Sequence, residues 1–401
     1  MREQPAVTPA QVSALVRQAC PDWRAVRAWP LAGGASAQVH AVEIEYSDGS
    51  RGRLVLRQYG AANLRADPHA AVTECRLLTL LHEAGLPVPR PWLADESGAI
   101  SPGPCLLTEY IDGETITDPV SLAEFLHQAD GEFRRPADGE FPPLPDGEFL
   151  PQPDGEFLPQ TDGEFLPQPD GEFLPQPDGE RIAGPPPGLE PFTGPMALTL
   201  AALHGAGLGR SDVPFLPEAA AAVAARIATI PDRLDAALSE PAVRAALTRA
   251  WPPPPANRPV IVHGDYWPGN VLWRDGLLAG IVDWEDAMFG DPLADLCVTR
   301  LELWWFFGRA AACDFTDQYL ASRPDVDPAA LPLWDLWAAL RPAGKLAGWG
   351  LNAAQQASMT AAHREFVTEA LGLLSTAKPG AAKPGAAKPG AAKPGAARRR
   401  P

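Results

Sequence analysis

The spacing of apolar and polar positions divides the chain into two structured regions. TPAQVSALVRQA, beginning at Thr8, reads as a short amphipathic helix with Pro9 in its first turn. PLAGGASAQVHAVEIEYSDGSRGRLVLRQYG then alternates as strand, glycine turn, strand, Asp48-Gly49 turn and strand. ADPHAAVTECRLLTLLHEAGL has helical spacing and ends at Gly85, an extended proline-containing segment follows, and CLLTEYIDGE (105–114) reads as a buried strand running into a turn. The second region starts with GPMALTLAALHGAGL. It continues through two alanine-rich helical stretches, around Pro217 to Thr229 and Pro231 to Trp251, and a proline run. VLWR and LLAGIV then flank Asp275-Gly276, the signature of a two-residue type I′ hairpin. TRLELWWFFGRAAACDFTDQYL, LPLWDLWAALRPAGKLAGWGLN and a last stretch around Met359 to Leu374 are helical, and their tryptophan stripe reads as core.

Two segments obey neither period. From Asp130 to Arg181 units of the type DGEFLPQP recur every eight residues, a spacing that suits no helical or strand face. Their proline, glycine and charge content predicts a disordered insert in a surface loop. From residue 378 a KPGAA repeat ending in RRRP predicts an extended basic tail. The formal charge of −17 is therefore uneven: the repeat holds 14 carboxylates against 3 arginines, while the tail carries 7 positive charges. The acidic remainder argues against nonspecific nucleic-acid binding and suits a cationic small partner. Five scattered cysteines without a C-x-x-C pair read as reduced thiols of a cytoplasmic protein. No apolar run approaches the roughly 18 residues of a membrane span, and the N-terminus has no apolar signal segment.

The chemistry concentrates in VIVHGDYWPGNVLWRDGLLAGIVDWEDAMFGDPLADL, Val260 to Leu296. His263, Asp265 and Asn270 form H-x-D-x-x-x-x-N, and Asp283 closes the strand after the hairpin. Phosphoryl transfer proceeds through a loose transition state in which a protein mostly positions groups and neutralises charge. Asp265 can orient an acceptor hydroxyl and take its proton late, without being a strong base. Asn270 and Asp283 offer the hard oxygen donors that Mg²⁺ prefers.

HGDYWPGN, DWED and GDPLADL together resemble the aminoglycoside phosphotransferase and choline kinase-like small-molecule kinases. The resemblance covers residues 25–125 and 185–372. It implies an α+β, two-lobe protein kinase-like fold with a small β-rich N-lobe (1–111) and a larger helical C-lobe. The C-lobe would start at 112–129 and, after the insert at 130–181, continue through 182–377 to the tail at 378–401. It further implies Asp265 as catalytic base with His263 organising the catalytic loop, Asn270 and Asp283 as metal ligands, and Asp295 steadying that loop. Gly33, Gly34 and Ser36 correspond to the turn roofing the nucleotide, and backbone groups of Glu109 and Ile111 to the adenine-binding hinge. Leu203-His204 matches a pair ending a C-lobe helix, with His204 in a packing and hydrogen-bonding role.

Kinases place a lysine on the third strand against the nucleotide phosphates, but no lysine precedes Lys345 here. Arg57, in LVLR, takes that position, and Glu74 on the following helix is its expected ion-pair partner. A guanidinium grips phosphate bidentately and stays charged. The expectation is a Mg²⁺-dependent transfer of the γ-phosphate of ATP, with GTP as an alternative, to a hydroxyl of a small molecule, with amine-bearing compounds and sugars both among the acceptors the resemblance allows. Glu302, Asp335, Glu285 and Asp286 are candidates for facing a cationic acceptor. The competing expectation is a catalytically weak nucleotide-binding scaffold acting through the repeat and tail. Intact Asp265, Asn270 and Asp283 oppose it, and the missing strand lysine favours it.

Overall fold

The hydroxyl of Thr8 accepts the Gln11 N–H and the Gln11 side chain accepts the Thr8 N–H, a reciprocal cap that starts α1 (Pro9–Ala19). The computed structural model in which this is seen describes residues 7–31, 37–129 and 188–376. The glycine turn with Gly33, Gly34 and Ser36, the eight-residue repeat and the basic tail lie outside the described residues.

Val12, Leu15 and Val16 on the inner face of α1 are buried against a five-stranded antiparallel sheet. The strands are β1 (Arg24–Pro30), β2 (Ala37–Glu45), β3 (Arg51–Tyr59), β4 (Pro91–Asp95) and β5 (Cys105–Glu109), in the order β1-β2-β3-β5-β4. Alternation along the central strand β3 sends its residues to opposite faces. Leu54 and Leu56 join the α1 cluster with Val42, Ile44, Cys105 and Leu107, each such burial contributing about 1.5–3 kcal/mol. Arg57 and Tyr59 face the other way, where a short α2 (Ala61–Ala66) leads into α3 (Ala70–Glu83) and its buried Glu74.

The larger lobe comprises α4 (Pro119–Ala129), α5 (Glu190–Gly205), α6 (Ala219–Ala228) and α7 (Glu240–Ala250), then the paired short strands and three long helices. β6 (Val260–Val262) pairs with β9 (Met288–Gly290), and β7 (Val271–Arg274) with β8 (Leu277–Ile281). Asp275 and Gly276 between the latter two have φ of +52° and +75°, the backbone a type I′ turn requires. α8 (Leu293–Ser322) bends at Gly308, whose φ is +83°, and packs against α5, α9 (Leu331–Leu340) and α10 (Ala353–Thr376). Trp304, Trp305, Trp334 and Trp337 are core, as the stripe predicts, while Trp349 is partly exposed.

One expected helix is shorter than its sequence pattern. α7 begins at Glu240 rather than near Pro231, because Asp235 accepts the N–H groups of Ala237 and Leu238 and donates its own N–H to the Glu240 carboxylate. That local turn competes with helix geometry. A single apolar cluster runs from Tyr59, Leu77 and Leu81 of the smaller lobe to Phe192, Trp273 and Leu296 of the larger one. The cleft between the sheet and the β7–β8 hairpin is therefore built on shared core. No helix among the described residues is long and apolar enough to cross a membrane.

Candidate active site

β6 delivers His263, Gly264 and Asp265 to the cleft, and the fully buried Asp295 at the start of α8 fixes how they arrive. Its carboxylate accepts the backbone N–H of His263 at 2.7 Å and of Gly264 at 2.7 Å, and pairs with His204 Nε2 at 3.1 Å. His204 is held in turn by Tyr319, whose hydroxyl lies 2.7 Å from Nδ1. Burial pushes the Asp295 carboxyl up, but His204 and the loop amides outweigh it and hold it below the usual carboxylate range. Gly264 has φ of +82°, and a Cβ there would sit 2.1 Å from the Asp286 carbonyl oxygen, so the glycine of HGD is required on both conformational and steric grounds.

His263 is fully buried, with Nε2 3.0 Å from the Val282 carbonyl and Nδ1 3.3 Å from the Asp265 N–H. These bonds fix the Nε2–H tautomer and employ both nitrogens in shaping the loop. The imidazole is buried and both of its nitrogens are engaged in holding the loop.

Asn270 donates from Nδ2 to the Asp265 carbonyl at 2.9 Å and to Asp265 Oδ2 at 3.2 Å, which turns its amide oxygen away from those bonds. The Val282 N–H donates to the Asn270 carbonyl at 3.0 Å and so sets Asp283 beside it. Asp283 has φ of +66°, a left-handed backbone that costs a non-glycine residue of order 1–3 kcal/mol and is typical of functional positions. One neutral amide oxygen and one half-buried carboxylate are hard donors, too few for an all-protein cage. Among the described residues no group of three or more His, Cys, Asp or Glu side chains could hold a metal alone. This donor set fits Mg²⁺, which commonly takes one or two carboxylates and completes its shell with phosphate oxygens and water.

Arg57 reaches this region from β3. Its Nη1 is 2.8 Å from Asp283 and 3.9 Å from Glu74, and its Nη2 pairs with Glu285. The expected Arg57–Glu74 pair is thus the longest of three, because Tyr59 donates to Glu74 at 2.7 Å and shares that carboxylate. Arg57 Nε is buried and has no partner among the described residues. Three carboxylates raise the Arg57 pKa despite the opposing effect of burial, so the charge is fixed. At the hinge the Glu109 N–H is committed to the Arg90 carbonyl at 2.8 Å, and its carbonyl accepts the Thr108 hydroxyl at 3.2 Å. No hydrogen bond among the described residues uses the Ile111 N–H, and the Ile111 side chain lies over Gly280, where a Cβ would come within 2.5 Å of it.

α8 runs beside the loop that carries Asp265 and touches it at successive turns. Asp295 bonds the amides of residues 263 and 264, Thr299 donates to the Tyr266 carbonyl at 2.6 Å, and Phe306 stacks on Trp267 with ring centroids 5.9 Å apart. Glu302 occupies the same face between Thr299 and Phe306, at the i, i+4, i+7, i+11 positions of one stripe. Burial and then the nearby Asp265 charge push its carboxyl up to about 8, with Arg341 opposing.

Arg341 carries no sequence motif, yet its Nη2 lies 2.9 Å from Asp265 Oδ1 and 3.9 Å from Asp286. Asp335 does not face the cleft. It is buried and paired with Arg300 at 3.1 Å, which explains its acidity in a tryptophan-rich helix without any ligand.

The sequence matches the profile of APH, the phosphotransferase enzyme family, over residues 27–342, and the chain belongs to that family. It is 33% identical over 144 residues to viomycin phosphotransferase of Streptomyces vinaceus, a match covering 25% of this chain and 48% of that protein. It is also 33% identical over 154 residues to a homoserine kinase of Phenylobacterium zucineum (strain HLK1), covering 35% and 47% of the two chains. The chain thus spans about half the length of the curated relatives it matches. The crystal structure of a candidate aminoglycoside phosphotransferase from Ralstonia eutropha JMP134 superposes with a TM-score of 0.55 at 15% identity, covering 93% of this chain and 100% of that one. That likeness establishes the fold, a kinase-like pair of lobes.

Proposed function

We propose that the protein transfers the γ-phosphoryl group of ATP, or of GTP, to a hydroxyl of a small amine-bearing molecule. The supporting observation is the fixed geometry of Asp265, held by Asn270 at one oxygen and placed by the Asp295-anchored loop, next to the adjacent pair Asn270 and Asp283. In this reading the acceptor hydroxyl donates to Asp265, its oxygen bonds to the γ-phosphorus, and the bond from that phosphorus to the β,γ-bridging oxygen breaks. The proton passes to the Asp265 carboxylate. Mg²⁺, when bound by the Asn270 amide oxygen and Asp283, would neutralise phosphate charge. Arg57, whose Nε has no partner among the described residues, supplies a fixed cation of the smaller lobe, and the Ile111 N–H, unused among those residues, would serve a nucleobase edge.

Asp286 and Glu302 lie within electrostatic reach of Asp265, and burial first, with the Asp265 charge adding to it, pushes both carboxyls up despite Arg341. An ammonium on the acceptor would pair with this acidic group. The test is nucleotide-diphosphate release from Mg-nucleotide over pools of aminoglycosides, peptide antibiotics, amino alcohols and hydroxy amino acids. A catalytically silent wild type that binds nucleotide would instead support the scaffold reading.

A further inference from the structure

The carboxylate of Asp265 is held at both oxygens. Asn270 Nδ2 donates to Oδ2 at 3.2 Å and Arg341 Nη2 to Oδ1 at 2.9 Å. A carboxylate oxygen has two lone pairs, so each keeps one after these bonds are made. The two donors come from different elements: Asn270 from the turn that follows Asp265, and Arg341 from the C-terminal end of α9, 76 positions after Asp265 in the chain.

Arg341 is itself firmly placed. Its backbone carbonyl accepts Arg226 Nη2 of α6 at 2.9 Å, and Arg226 also reaches the Leu340 carbonyl at 3.4 Å. The guanidinium carbon lies 5.8 Å from the centre of the Trp337 ring. Asp286, 3.9 Å away, and Glu302 complete its acidic surroundings, and Asp265 and Asp286 favour the charged guanidinium despite its burial.

We infer that Arg341 is a positioning residue for phosphoryl transfer: it fixes the plane of the Asp265 carboxylate so that a remaining lone pair meets the acceptor hydroxyl in line with the γ-phosphate. The inference rests on the functional reading above and assigns Arg341 no contact with either substrate. Its effect therefore falls on turnover and not on acceptor or nucleotide affinity. Without Arg341 the carboxylate keeps only the long Asn270 bond and can rotate about its Cβ–Cγ bond. Misplacement of a catalytic group by about 1 Å lowers rates by about a hundredfold.

The experiment compares wild type, Arg341→Gln, Arg341→Lys and Arg341→Ala in acceptor-dependent turnover, with nucleotide Kd measured by calorimetry as a check on the folded cleft. The expected result for Arg341→Gln is a kcat lowered by about 10- to 100-fold, with acceptor KM and nucleotide Kd within about twofold of wild type. Arg341→Lys should recover part of the loss, and millimolar methylguanidine should restore turnover to Arg341→Ala. A rise in acceptor KM at unchanged kcat would overturn the inference, because Arg341 would then be binding the acceptor. So would Arg341→Gln turnover equal to wild type, or variants that lose nucleotide affinity and turnover together without rescue. If the wild type itself shows no acceptor-dependent turnover, the functional reading falls and this inference with it. Wild-type turnover with an indifferent Arg341→Gln overturns this inference alone.

Discussion

Arg57 of β3 and Asp283 of the larger lobe are joined across the cleft at 2.8 Å, although 226 positions separate them in the chain. The same guanidinium also takes Glu285 and, more distantly, Glu74, so one cation ties the sheet, α3 and the segment carrying Asp283. An arginine serves here where ammonium would not, because its planar fork can face several carboxylates at once.

Removal of that cation should therefore act on both structure and nucleotide binding. Arg57→Ala removes the cation from three carboxylates, Glu74, Asp283 and Glu285, a loss of about 3–5 kcal/mol for a buried pair and less at the cleft surface. The expected outcome is a weaker nucleotide Kd by at least tenfold and a lower Tm. Arg57→Lys should recover affinity only in part, since it cannot reach Asp283 and Glu285 together. Calorimetric nucleotide titration of both variants, alongside thermal melts, checks this.

Asp295→Asn should lower stability while leaving the side-chain volume almost unchanged. The Asp295 carboxyl is held below the ordinary range in the folded state, so its contribution is present above its unfolded value of about 3.9 and is lost as pH falls through the lower folded value. Wild type should thus lose stability below about pH 4 in part through this group, and the Asn variant should lack that component. Urea unfolding between pH 3 and pH 7 is the measurement. Equal pH slopes for the two proteins would show that Asp295 carries no such linkage.

Glu302→Gln has the opposite sign. With its folded carboxyl raised to about 8, Glu302 binds more protons folded than unfolded between about pH 4.3 and that value, so it lowers stability as pH rises across that window. The Gln variant should melt higher than wild type at pH 7.5. It should also bind an ammonium-bearing acceptor more weakly, since a neutral amide cannot become the counter-ion. Wild-type acceptor binding near pH 7 should release a proton, visible as a buffer-dependent calorimetric enthalpy that disappears in Glu302→Gln.

Local chemistry made much of this site legible from sequence. The Asp275-Gly276 turn, the H-x-D-x-x-x-x-N spacing and the Thr8 cap are all set by residues within a few positions of one another. Asp295 could be placed because GDPLADL starts a helix directly after the loop it braces. Arg341 could not, since nothing in LWAALRPAG signals that the end of α9 returns to Asp265. Asp335 misled for the same reason in reverse: its acidity reads as a ligand until Arg300, 35 positions earlier, is seen beside it. His263 lies in the motif, but only its two hydrogen bonds separate a loop-shaping role from a chemical one.

The most direct test is acceptor-dependent release of nucleoside diphosphate by wild type and by Asp265→Asn, each first shown to bind nucleotide. The wild type should turn over with at least one amine-bearing hydroxyl compound, and Asp265→Asn should be slower by about 10²–10⁴-fold at unchanged nucleotide Kd. Turnover by Asp265→Asn at the wild-type rate, or nucleotide binding by the wild type without turnover on any acceptor, would contradict a phosphotransferase built on Asp265.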